Sequence, residues 1–215
     1  MKNISFLFIL LLSFIGCKKD DDDVQPTENM YFPSINDSDW ETTSLSSLGW
    51  DESKVAPLKE YLILKNTKSF MILVNGRIVM EEYFDGHTKT ETWPWNSAGK
   101  TLVSASTGIA QQEGLLNINN KASDYLGNGW TSEPLEKESL ITSRHLLTMT
   151  SGINDENNLV IKSNLTYLAD AGTRWSYHNV FQKLMDVVAE SSNQDFESYF
   201  NAKLKNKIGM EGFWN

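Results

Sequence analysis

Ser97 is followed three places later by Lys100. A serine hydroxyl beside a lysine amine can do acyl transfer, because the amine helps remove the proton as the oxygen attacks a carbonyl. Spacing alone does not establish this, since a serine-rich chain of this length holds about one Ser-x-x-Lys by accident. A helix-capping serine followed by a solvated lysine is the competing reading. A second stretch, Tyr177-His178-Asn179, carries a phenol and an amide in a Gly-containing loop. A lysine ammonium near the Tyr177 oxygen would favour the phenolate, and the pair could then take the Ser97 proton while the Asn179 amide orients a substrate. Here too a plain alternative stands, with Tyr177 an amphipathic core residue and Asn179 an N-cap. Tyr199-Phe200-Asn201 has the same spacing but lies within helix-patterned sequence and reads as packing.

The elements that must position these groups follow from periodicity. After Lys100, the residues Leu102, Ala105, Ser106, Ile109 and Ala110 recur at helical spacing, which predicts a helix over 97–113 with Ser97 in its first turn. Side chains three apart then share a face, so Lys100 can reach Ser97, and unpaired N–H groups of that turn point at whatever binds the serine. Asn75-Gly76 between "SFMILV" and "RIVMEEYF" is a strong hairpin signal. Helices are also expected over 52–65, 121–125, 142–148, 179–191 and 195–205. Two strands cannot close a domain unaided, so helices must cover them or further strands must lie beside them.

The chain ends bear on location. Lys2 precedes an apolar run over 4–15, followed by Gly16 and Cys17. About a dozen apolar residues fall short of the roughly 20 that span a bilayer, so residues 1–16 read as an export signal. Phe14-Ile15-Gly16-Cys17 resembles a bacterial lipobox with Phe14 in place of the usual Leu. Cys17, the sole cysteine, is then the lipidation site, and the protein a membrane-anchored lipoprotein outside the cytoplasm. Residues 17–44 are polar and acidic and read as a tether, leaving about 170 residues for one domain from Leu45.

Composition removes several classes. The net charge of −9 owes much to Asp20 to Asp23, a solvated run, and no basic stripe suits nucleic acid. No serine has the flanking glycines of a Gly-x-Ser-x-Gly elbow. His87, His145 and His178 lack metal-ligand spacing and read as loop or helix-surface residues, so no metal or cofactor is expected.

Five segments in order carry a resemblance to one family. "SFMILVNGRIVMEEYFDG", "NSAGKTLVSASTGIAQQEGLLNINNKASDYLG", "ITSRHLLTMTSGI", "AGTRWSYHN" and "LKNKIGMEGFW" together resemble the serine β-lactamase and penicillin-binding fold, in its class C, esterase and 6-aminohexanoate-dimer hydrolase branch. The resemblance runs over 45–215. It implies an α/β fold of the α+β type, in which this chain is the N-terminal strand hairpin plus helical region. It implies Ser97 as acylated nucleophile, Lys100 as its proton partner, Tyr177 as base toward Ser97 and acid toward the leaving group, and Asn179 as a substrate-amide contact. The implied substrate is a small molecule or peptide with an ester, amide or β-lactam carbonyl. Ala171 stands where many members have Pro, and His178 where a small residue is common. Members usually continue for well over a hundred residues and supply most of the central antiparallel sheet, a third motif and one oxyanion donor from it. The expectation is therefore a C-terminally truncated chain. Its alternative function is a lipid-anchored remnant that binds peptidoglycan or another acyl ligand without turnover.

Overall fold

The computed structural model describes residues 30–35, 39–212 and 214. The export signal, Cys17 and the aspartate run lie outside the described residues. β1 (Ser69–Val74) and β2 (Arg77–Tyr83) form the expected antiparallel hairpin, in register from Ser69 opposite Tyr83 to Val74 opposite Arg77, with a bulge between Ile72 and Leu73. Asn75 and Gly76 turn it with φ of 50° and 82°, left-handed values that Asn and Gly reach at least cost. Part of the stretch read as tether is bound here. Tyr31 N–H donates to the Asn75 carbonyl, and Ile78 exchanges hydrogen bonds with Glu41 and Thr43, so the ordered chain reaches back past Leu45. A 3-10 turn (Glu52–Lys54) capped by Asp51 leads into α1 (Val55–Leu64), which the Lys59–Glu82 ion pair ties to β2.

The main core is helical. α2 (Lys100–Gln112), α3 (Ser123–Leu126), α5 (Ser143–Leu147) and α7 (Phe196–Lys203) all pack against α6 (Lys183–Ser192), whose Leu184, Val187 and Val188 are fully buried. A short α4 (Leu135–Glu138) was not foreseen. α2 is rotated from the expected face. Its buried residues are Val103, Ser106, Thr107 and Ala110, while Ala105 is exposed. Thr107 can be buried because its hydroxyl donates to the Val103 carbonyl at 2.8 Å. Lys100 shares this face, since 100, 103, 107 and 110 follow helical spacing. The first residue of the helix is thereby aimed toward the elements that α2 packs against.

Among the described residues, no hairpin residue belongs to this helical core. Ile78 and Met80 of β2 and Leu62 of α1 are buried separately, and Met71 and Leu73 of β1 remain exposed.

Close backbone contact braces the chain ahead of the second motif. Leu168 and Ala169 N–H both donate to the Gly152 carbonyl, and Ile153 pairs with Tyr167. A Cβ on Gly152, at φ 82°, would lie 2.1 Å from the Ala169 oxygen. Gly152→Ala should therefore part this pairing and lower unfolding stability by about 2 kcal/mol, read by urea denaturation. An unchanged midpoint would show that the backbone yields there freely.

Candidate active site

Ser97 lies in a 3-10 turn (Asn96–Gly99) that runs directly into α2 at Lys100. Asn96, ahead of it, takes a left-handed φ of 47°. That backbone reversal is tolerated by Asn better than by most residues, and it sets Ser97 at the mouth of the helix. Lys100 Nζ donates to Ser97 Oγ at 3.5 Å, and the same ammonium sits 5.2 Å from the centre of the Tyr177 ring. Ser97, Lys100 and Tyr177 thus come together from opposite halves of the helical region.

Tyr177 arrives there because its chain enters α6, and α6 packs on α2. Residues 174–178 alternate in environment. Trp175 and Tyr177 are exposed, Tyr177 to 50%, whereas Arg174, Ser176 and His178 turn toward the loop at 155–158. Arg174 donates to Asp155 at 2.8 Å, Ser176 Oγ also donates to Asp155, and the His178 ring meets the Asn157 carbonyl at 2.9 Å. On its other side Ser176 N–H donates to the Met149 carbonyl. An extended segment clamped at alternate residues presents the intervening ones outward.

The electrostatics follow from these contacts. A hydrogen bond from Ser97 is the main influence holding the Tyr177 phenol below its ordinary range; burial pulls the other way, and the Lys100 ammonium adds to the lowering. The Ser97 and Lys100 contacts both favour the phenolate. Asp155 is depressed to about 2 by its hydrogen bonds from Arg174 and Ser176, so the brace behind Tyr177 stays ionised through the neutral range. The cluster can pass a proton from a serine hydroxyl to a phenolate held by an ammonium, which is what activates an oxygen nucleophile.

The Asn179 amide donates to the Asn158 carbonyl at a long 3.4 Å. The cap of the following 3-10 turn (Asn179–Gln182) is not Asn179 but His178, whose Nδ1 accepts from Val180 N–H at 3.0 Å. His178 lies in a loop, as expected, but it is buried at 2% exposure, because both ring nitrogens are satisfied inside. His145 is half-buried in a capping box with Thr142. Sequence reading gave His178 no role; its signal was a bulky, two-nitrogen ring where the resembling family tolerates a small residue.

The family model described as Beta-lactamase matches residues 67–215. The chain belongs to the beta-lactamase family. No curated protein matches it. Among solved structures, it is similar to the octameric penicillin-binding protein homologue from Pyrococcus abyssi, at 16% identity and a TM-score of 0.62, over 75% of this chain and 44% of that one. A class C beta-lactamase mutant aligns at 21% identity and a TM-score of 0.58, over 74% and 49%. EstCE1, a hydrolase with promiscuous acyltransferase activity, aligns at 15% identity and a TM-score of 0.57, over 76% and 53%. These likenesses show the beta-lactamase and transpeptidase-like fold, and the chain spans about half the length of the structures it matches. By family and fold the chain resembles serine hydrolases.

Proposed function

We propose that the chain carries an acyl-enzyme serine hydrolase mechanism centred on Ser97. The reading is supported above all by one ammonium, that of Lys100, lying 3.5 Å from Ser97 Oγ and against the Tyr177 ring. Ser97 Oγ attacks the carbonyl carbon of an ester, amide or β-lactam, and its proton passes to the Tyr177 oxygen. Collapse of the tetrahedral intermediate breaks the bond to the leaving group, which takes the proton from Tyr177. Water then attacks the acyl-serine and gives up a proton to Tyr177; the acyl–Oγ bond breaks, Ser97 Oγ takes that proton back from Tyr177, and the acid leaves. Lys100 holds the phenolate charge throughout. Asn179, after rotating off Asn158, contacts the substrate amide. The site stands open, and an acyl group on a small molecule or peptide is the chemical class it suits.

Acid-quenched incubation with p-nitrophenyl acetate or a penicillin tests this reading, with the adduct mapped by peptide mass spectrometry. An acyl group on Ser97 is expected. Acyl-Ser97 that persists would favour the binding-only alternative, and acylation confined to other residues would overturn the proposal.

We also propose that Cys17 carries a lipid and anchors the protein to a membrane outside the cytoplasm. A palmitate analogue fed to expressing cells should label the protein and be lost in Cys17→Ser. Label retained in that variant would rule the site out.

A further inference from the structure

We propose that His178 is a positioning residue whose neutral ring, protonated only on Nε2, fixes Tyr177 against Ser97 and Lys100. The proposal rests on the acyl-enzyme reading for its functional meaning, but its geometry stands independently.

His178 Nδ1 accepts from the Val180 N–H at 3.0 Å, so that nitrogen carries no proton. Nε2 faces the Asn157 carbonyl at 2.9 Å, and a carbonyl only accepts, so Nε2 must donate. One tautomer satisfies both contacts. The opposite tautomer would set N–H against N–H at one end and lone pair against lone pair at the other. The ring is 2% exposed, which leaves water little access to replace either partner. Its two ends have different tasks. The Nδ1 end caps the turn that starts the approach to α6, while the Nε2 end ties the residue next to Tyr177 to the 155–158 loop. Arg174 and Ser176, four and two residues earlier, make parallel ties to Asp155. Ser176 and His178 flank Tyr177, and the His178 tie is the one that holds its C-terminal side. With it released, the phenol can swing away from Ser97 and Lys100, and the influences holding it in the phenolate-favouring state weaken together.

Three substitutions separate the ends. His178→Asn keeps an acceptor near the Nδ1 position and loses the reach to Asn157. His178→Gln keeps an N–H donor near the Nε2 position, and His178→Ser loses both. In the wild-type protein, ¹⁵N NMR of the ring should show Nε2 protonated and Nδ1 bare. Titration of Tyr177 followed by ¹³Cζ NMR reads phenol position without requiring any reaction. His178→Asn should stay folded, move the Tyr177 titration upward, and slow fluorophosphonate labelling of Ser97 by about 10-fold; His178→Gln should recover part of both. A purely structural role would leave folded His178→Asn at the wild-type Tyr177 titration, and that result overturns the proposal, as does a ring protonated on Nδ1. If wild-type Ser97 takes no label, the acyl-enzyme reading fails, yet the Tyr177 titrations still decide the role of His178.

Discussion

Replacing Lys100 with alanine is expected to slow acylation of Ser97 by about 10²- to 10⁴-fold, the range usual for losing a positioned proton-transfer partner. The size follows from the double use of one ammonium, which lies within hydrogen-bond reach of Ser97 Oγ and over the Tyr177 ring. Its removal should also change the pH dependence. Lys100 helps hold the Tyr177 phenol low, so without it the phenol titrates higher, and the rising limb of the acylation rate moves to higher pH. Stopped-flow or quenched labelling of Lys100→Ala across pH 6–10 reads both effects. Because Lys100 is the half-exposed first residue of α2, the variant should fold normally, which circular dichroism checks. A rate within a few-fold of wild type and an unmoved limb would mean that Lys100 only solvates the helix end.

The second large effect concerns stability. Glu133 is 8% exposed, one of its carboxyl oxygens has no hydrogen-bond partner, and burial, followed by the Glu138 and Asp170 carboxylates, pushes its pKa up to about 7 against a mild pull down from Lys137. Glu138, buried beside it, accepts from Gly129 N–H and from both the N–H and hydroxyl of Thr131. Its three donors leave Glu133 the carboxyl that yields. A folded pKa above the unfolded value of 4.5 means that the folded protein holds the extra proton between the two. Glu133 therefore costs nothing below about pH 4.5, and stability falls as pH rises toward 7, by about 3 kcal/mol in all. Asp155 acts in the opposite window, its contribution being lost only as pH falls below 3.8 toward 2. Glu133→Gln should abolish most of the decline, making the variant more stable than wild type at pH 8 and nearly equal to it at pH 4, by urea unfolding. A variant less stable at pH 8 would show that the carboxylate is paired in the folded state.

How far the sequence reveals such features depends on whether the cause is local. Asn75-Gly76 dictated its hairpin because both residues accept positive φ, and the turn was legible in two letters. Most helices were legible too, since the apolar period of 183–192 and the Asp195 cap of 196–203 are properties of neighbouring residues. Tyr199 and Phe200 proved to be core, as their helical setting implied. The rotation of α2 was not legible, because a threonine buried through its own backbone bond, Thr107, looks polar in a sequence. Nor was α4, where an acidic stretch is held by a buried Glu138 whose donors come from a loop seven and nine residues away. At the candidate site, Ser97 and Lys100 are neighbours on one turn and their approach was foreseeable. The approach of Tyr177 depends on packing of α6 on α2 and on ties to the 155–158 loop, and it could be anticipated only through family resemblance. His178 shows the remaining gap: its partners, Asn157 and Val180, lie on either side of it in the chain, and nothing in its letter says that both nitrogens are used.

The central claim is that Ser97 is an activated nucleophile. Its most direct test is a time course of fluorophosphonate labelling of the purified chain, read by intact mass and by the modified peptide, with Ser97→Ala run alongside. A single phosphonyl group is expected on the peptide that holds Ser97, and no label in Ser97→Ala. Label on another residue, or an undiminished rate in Ser97→Ala, would contradict it.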